Sequence, residues 1–430
     1  MLKDKKPELL NINGNRVLYF KIPNKTIYVE SIIKTGFADE NRNNCGINHL
    51  LEHVLTNAWD KCNNKSCMSY WNNKGGNYNA ETHNHKIKYY NSGTKNMQDE
   101  IINYIIDITL NPKILKANLD NEKHAVKTEL LGALNENDYT LYDTHNKNFY
   151  KIEGLKYSED WKTQLKNLKN INLKSLLEWY NRYYKNNILF IVVGDIEKRE
   201  LPKYFKKREM STNNKTKNRK LIVQKKREQT LKKKCFSGKK QIVFSYLKEA
   251  KQVRLLIGFN SKIYQDNKEL IYVKIVCNIL KSIFYKILRE EKKLIYSISV
   301  TSKTTECGTV TEIFTEVDHD KCKKIYEIIF ATIRYYQKNY FANDIINGEK
   351  NKLSYVYNNT TMRNSKVVEL YASQYFNQIN SKNPHIYSLA DMKKSISKVD
   401  KEILQKIFKN LFNINNSLTT YQYNKKNILQ

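Results

Sequence analysis

At 430 residues the chain is longer than a single hydrophobic core usually supports, so two domains or more are expected. Only 13 Gly and 5 Pro, with 27% charged residues, disfavour a β-sandwich and suit an α+β protein with long helices. Lys and Arg number 75 against 43 Asp and Glu, a formal charge of +32. The lysines are spread over the whole chain, so non-specific attraction to polyanions is expected and a dedicated nucleic-acid site is not.

In chain order, Arg16–Ile22 and Thr26–Ile33 read as strands joined by a Pro23-Asn24-Lys25 turn, a hairpin. A helix follows over Cys45–Trp59. At about 100° per residue, Ile47, Leu50, Leu51, Val54, Leu55 and Ala58 gather into one apolar stripe, while His49, Glu52 and His53 project from the opposite side. A short helix near 67–72 is broken by Gly75-Gly76, and strands follow at 78–83 and 86–90. Ile101, Ile102, Ile105, Ile106 and Ile108 give helical spacing to 97–110, which Asn111-Pro112 stops. The helix at 114–134 sets Glu122 and Glu129 nearly in line on one face. A helix at 173–184 leads into the apolar strand 188–193, which belongs in the middle of a sheet.

Residues 206–240 are poor in apolar side chains and carry Lys225-Lys226-Arg227 and Lys232-Lys233-Lys234, the composition of a solvated linker. This divides the chain into a first domain at 1–205, a basic linker at 206–240 and a second domain at 241–430. Beyond the linker come a strand at 253–259, a helix at 270–290, strands at 294–302 and 309–316, helices at 321–338, 344–357, 366–378 and 399–411, and a strand at 417–423. That order repeats the first half, as an ancient duplication would leave it.

Cysteines at 45, 62, 67, 235, 277, 307 and 322 form no CxxC pair and no dense framework, so a reduced intracellular compartment is expected. Residues 1–7 lack the apolar stretch of a secretory signal and mix Lys with Glu where a transit peptide avoids acids, which points to the cytoplasm. No run reaches the roughly 18 apolar residues that cross a bilayer, so no membrane partner is expected.

His49 and His53, at i and i+4, can both reach one metal ion, and Glu52 sits beside them where it can touch a metal-bound water. H-x-x-E-H is an inverzincin signature. For a third ligand, Glu122, Glu129, His124 and the pair His83 and His85 are all open, since periodicity does not choose among them.

Gly46-Ile47-Asn48-His49-Leu50-Leu51-Glu52-His53 resembles the G-I-x-H-x-x-E-H of the pitrilysin and insulysin family, which includes the mitochondrial processing peptidases. Gly75-Gly76-Asn77-Tyr78-Asn79-Ala80-Glu81-Thr82 is similar to its G-G-x-x-N-A-x-T strand, and Tyr183-Tyr184 through Gly194-Asp195 to the strand that closes its first domain. Leu288-Arg289-Glu290 and Leu294-Ile295-Tyr296-Ser297 look like its L-R-E and L-A-Y-S. The resemblance covers nearly the whole chain and implies two related domains, each a mostly antiparallel sheet packed with helices. It also implies a zinc metalloendopeptidase with one Zn2+ per chain on His49, His53 and Glu129, a supporting carboxylate in Glu122, and Glu52 as general base. Asn79, Ala80 and Thr82 would dock an extended peptide, and Arg289 and Tyr296 would bind its backbone.

Tyr78, Thr128 and the basic linker depart from the family pattern and leave substrate preference open. In the long members the Arg and Tyr come from the half without zinc, so this half-length chain is expected to work as a homodimer or with a half-length partner subunit. A catalytically inactive processing-enhancer subunit is the alternative, although such subunits typically lose part of H-x-x-E-H. A basic nucleic-acid-binding protein has only the net charge behind it. The Asn and Lys bias suits an AT-rich genome such as that of a large DNA virus, where the virion or host cytoplasm would be the location.

Overall fold

The computed structural model describes residues 6–62, 66–135, 139–184, 188–206, 236, 240–248, 250–262, 264, 266–305, 308–359, 363–377 and 385–424. The basic linker lies almost wholly outside the described residues.

The first half folds as β1 (Glu8–Ile12), β2 (Asn15–Lys21), β3 (Thr26–Ile33), α1 (Ile47–Thr56), α2 (Cys67–Lys74), β4 (Asn77–Thr82), β5 (Ile87–Thr94), α3 (Gln98–Leu110), α4 (Lys116–Leu134), α5 (Tyr139–Phe149), α6 (Glu153–Lys156), α7 (Trp161–Asn170), α8 (Leu173–Tyr183), β6 (Ile188–Gly194) and α9 (Leu201–Phe205). Its six strands lie in the order β1-β2-β6-β3-β5-β4.

The expected hairpin between β2 and β3 is therefore corrected. β6 lies between them, parallel to β2 and antiparallel to β3. All seven residues of β6 are buried, and a strand that is apolar on both faces needs neighbours on both edges and cover above and below. The hairpin in this region is instead β1 with β2, closed by Asn13-Gly14. Both residues have positive φ (49° and 79°), the conformation that a two-residue turn between twisted strands requires and that Asn-Gly adopts readily.

The second half contains β7 (Gln241–Tyr246), β8 (Val253–Ser261), α10 (Asn267–Phe284), β9 (Ile295–Thr305), β10 (Gly308–Val317), α11 (Cys322–Lys338), α12 (Asn343–Asn359), α13 (Asn364–Asn377), α14 (Leu389–Ser397), α15 (Lys401–Leu411) and β11 (Ser417–Tyr423). Its sheet order is β7-β11-β8-β10-β9, with β11 parallel to β7 and antiparallel to β8. This is the pattern of the first sheet without β1.

Each sheet packs its own helices on one face. Val17, Val29, Leu51 and Ile105 belong to the first core; Leu255, Ile257, Ile279 and Phe408 belong to the second. The opposite face of each sheet receives a helix from the other half. Val367, Val368 and Tyr371 of α13 cover Leu18, Phe20, Ile191 and Val193, while Phe149 of α5 packs with Val310 and Leu418. Gly258 permits the second contact, because a Cβ there would lie 2.6 Å from His145 Nε2.

The cysteine expectation is also corrected. Cys62 and Cys67 form a disulfide with Cα atoms 5.3 Å apart, while Cys45, Cys277 and Cys322 are buried and free. Five-residue spacing alone does not reveal this proximity. Cysteine usage thus lends no support to a reduced compartment. Among the described residues no helix is long and apolar enough to cross a membrane.

Candidate metal centre

Helix α1 is placed from its N-terminus. Gly46 caps it in the left-handed conformation at φ 92°, and the buried Glu40 carboxylate accepts from the Gly46 and Asn48 N–H groups, each at 2.9 Å. Such donors have no acceptor within the helix, so a carboxylate brought from outside serves as the cap. Burial nevertheless pushes the Glu40 carboxyl up to about 8. The Asn48 side chain donates to Gly36 O at 2.9 Å and accepts from Trp179 Nε1 at 2.8 Å, which fixes the rotation of the helix. Ile47, Leu50, Leu51, Val54 and Leu55 then face the core, and His49, Glu52 and His53 face a cleft of about 830 Å3.

Helix α4 forms the facing wall. Leu119, Val126 and Leu130 are its buried positions, and its packing against α1 brings Glu122 and Glu129 to the histidines. One Glu129 oxygen lies 3.5 Å from His49 Nε2 and 3.3 Å from His53 Nε2. Glu122 reaches the other nitrogen of His53, with Oε2 at 3.3 Å from Nδ1.

The charges are coupled. Hydrogen bonds with His49 and His53 pull the Glu129 carboxyl well below the usual carboxylate range. Burial alone would lower the His53 pKa, but hydrogen bonds with Glu122 and Glu129 outweigh it and raise the value to about 10. Two imidazole nitrogens and a carboxylate oxygen within 4.8 Å of one another fit a divalent cation such as zinc in both donor type and spacing.

Glu52 stands beside this cluster. Thr82 Oγ1 donates to its Oε2 at 2.5 Å, and burial raises its pKa against the opposing pull of His49. Thr82, Asn79 and Ala80 lie along β4, the edge strand of the first sheet, and all three line the cleft.

Of the alternatives for a third ligand, His83 pairs with Glu81 at 2.9 Å, His85 is buried, and His124 is exposed; none joins the cluster. Arg289 and Tyr296 are not brought to the cleft of their own chain. Arg289 lies in a π-helical stretch, Tyr285–Glu291, at the end of α10; its Nη1 donates to Ile295 O at 3.1 Å and its guanidinium sits 5.0 Å from the centre of the Tyr296 ring. Tyr296, on the edge strand β9, is 80% exposed.

Asn57, Trp161 and Gln164 also line the cleft and were missed from the sequence. Asn57 had a readable signal, since it continues the four-residue step of His49 and His53 along one helix face. The others come from α7, a helix whose pattern gave no sign of it.

Two family models match. "Insulinase (Peptidase family M16)" covers residues 16–158 and "Peptidase M16 inactive domain" covers 170–353. A protein of Rickettsia felis named uncharacterized zinc protease is 22% identical over 321 residues, 73% of this chain and 74% of its own. A protease from Helicobacter pylori superposes with a TM-score of 0.80 at 15% identity, covering 97% of this chain and 99% of that one. The M16 inactive domain protein from Pseudomonas fluorescens also reaches 0.80, at 11% identity and 97% and 98% coverage. The matched segments take in most of both halves, and the chain belongs to peptidase family M16, the insulinase family.

Proposed function

We propose that this chain is a zinc-dependent endopeptidase acting on extended peptides, with 1–205 as its catalytic unit and 241–430 as a related unit without a metal. The observation that carries the reading is the convergence of His49, His53 and Glu129 donor atoms beside a buried carboxylate, Glu52, in a cleft edged by an open strand. His49, His53 and Glu129 would hold one zinc ion per chain. Zinc supplies a Lewis acid for the scissile carbonyl and makes water nucleophilic near neutral pH.

The protein's own groups do the rest. Glu122 accepts from His53 Nδ1–H, which leaves Nε2 free as a donor to the ion. Glu52 takes a proton from the attacking water and passes it to the leaving amine; the burial that raises its pKa helps it hold that proton between the two transfers. The edge of β4 along Asn79, Ala80 and Thr82 accepts the substrate as an added strand, so main-chain hydrogen bonds select an extended conformation over a particular sequence.

Arg289 and Tyr296 serve the substrate backbone and the oxyanion in trans, from a second copy or a half-length partner subunit. In support, neither lines the cleft of its own chain and Tyr296 is 80% exposed. The reading is tested by incubating the protein and Glu52→Gln with a library of unstructured peptides and identifying products by mass spectrometry. Cleavage by the wild type alone is expected, and cleavage by neither would refute it. For the dimer, Glu52→Gln mixed with Arg289→Ala should recover activity that each lacks; an active wild-type monomer with no recovery would sink that part.

A further inference from the structure

Asn57 closes the last turn of α1, one turn beyond His53. Its carboxamide is engaged at both ends: Nδ2 donates to Glu122 Oε1 at 2.8 Å, and Oδ1 accepts from the Cys67 N–H at 2.9 Å. A carboxylate only accepts and a backbone N–H only donates, so these partners decide which end is nitrogen and which is oxygen. The Cys67 N–H is a first-turn donor of α2 with no acceptor inside its helix. Cys67 is itself tied to Cys62 by the disulfide. Glu122, held through Oε1, presents Oε2 to His53 Nδ1 at 3.3 Å. A continuous path therefore runs from the Cys62–Cys67 disulfide through Asn57 and Glu122 to His53.

We propose that Asn57 is a positioning residue for the His53 imidazole, transmitting the anchorage of the disulfide-tied Cys67 through Glu122. The inference rests on the metal reading above. Asn57 is not part of the metal-donor set; it sets the direction of Glu122, and Glu122 sets the tautomer and plane of His53. Outer partners of this kind are worth about 10-fold to 100-fold in metal affinity.

The test is a zinc titration of the full chain in competition with a chromophoric chelator, with the visible spectrum of the cobalt-loaded protein and the thermal midpoint of the metal-free form recorded in parallel. Asn57→Ala is expected to bind zinc about 10-fold more weakly and to shift the cobalt spectrum. Asn57→Asp keeps an acceptor for the Cys67 N–H but sets a second carboxylate against Glu122, so it should lose at least as much. Combining Asn57→Asp with Glu122→Gln restores a donor facing an acceptor at the same total charge, and both affinity and spectrum should return toward wild type. A purely structural Asn57 would lower the thermal midpoint without that recovery.

Replacing both Cys62 and Cys67 with Ser should weaken zinc binding in the wild type and add nothing to Asn57→Ala. Unchanged affinity in Asn57→Ala and Asn57→Asp, no recovery in the combined variant, or additive losses with the cysteine changes would each overturn the inference. A wild-type protein that binds no zinc overturns the metal reading itself, and this inference with it.

Discussion

The two halves place their strands in one order and set a helix after the corresponding strands β3 and β8, yet they use that helix differently. α1 is ten residues long and turns His49, Glu52 and His53 toward a cleft; α10 is 18 residues long and buries eleven of them. α1 is capped from a distance by the buried Glu40, α10 locally by Asp266, which accepts from the Lys268 N–H at 2.7 Å. Both halves also pack a second helix on the first, α4 on α1 and α12 on α10. In the first half that partner brings Glu122 and Glu129 to the histidines. In the second it brings Glu349, which is buried and paired with Lys352 at 2.6 Å. One scaffold thus supports a cleft lined by candidate metal donors or a closed core, and the two differ in a few side chains of two helices.

The sharpest way to break this contrast is at Glu52. Glu52→Gln should lower peptide cleavage by about 10^3-fold while zinc binding persists, because it removes a base and no ligand. Steady-state kinetics with parallel metal analysis would check it, and retained cleavage would remove the first half's claim to the chemistry.

The reciprocal exchange of helices is the next target. His145 is fully buried, held by Thr420 Oγ1 at 2.8 Å and stacked on Phe149, so it has nowhere to retreat from a methyl group on Gly258. Gly258→Ala should cost about 2 kcal/mol in chemical denaturation and leave zinc affinity unchanged. A neutral result would mean that the halves meet less tightly than their packing implies.

The distant cap gives stability a pH dependence. Glu40 has a folded pKa of about 8 against an ordinary value of 4.5, so the folded state keeps a proton that the unfolded chain releases between those values. Stability from this group is full below pH 4.5 and is lost as pH rises to about 8. Denaturation midpoints should fall over that window in the wild type and flatten in Glu40→Gln; equal slopes would exclude the group. Asp266→Ala should show the smallest effect, about 1 kcal/mol, with no change in zinc content.

What could be read from the residues was whatever is local. The two faces of α1, the strands after Gly75-Gly76 and the central place of β6 follow from periodicity within a few residues. The pairing of β2 with β6 did not, because it depends on a segment about 170 residues away. Helix α5 was missed for a related reason. It is buried from both halves through polar side chains such as His145 and Asn146, whose partners Thr420 and Ser158 stand in for apolar contacts, so no apolar stripe marks it. Choosing Glu129 over His83, His85 or His124 likewise requires the packing of α4 on α1, which no spacing encodes; the family resemblance pointed to Glu129, and the geometry groups it with the histidines. The Cys62–Cys67 pair escaped because a spacing of five residues does not by itself bring two cysteines within bonding distance.

The most direct measurement is the zinc content of the purified chain by elemental analysis, for the wild type, for His53→Ala and for Glu349→Gln in the corresponding helix pair of the second half. One zinc per chain in the wild type and in Glu349→Gln, with none retained by His53→Ala, is the expected result. No stoichiometric zinc in the wild type, or zinc that survives His53→Ala, would contradict the assignment of the metal to the first half.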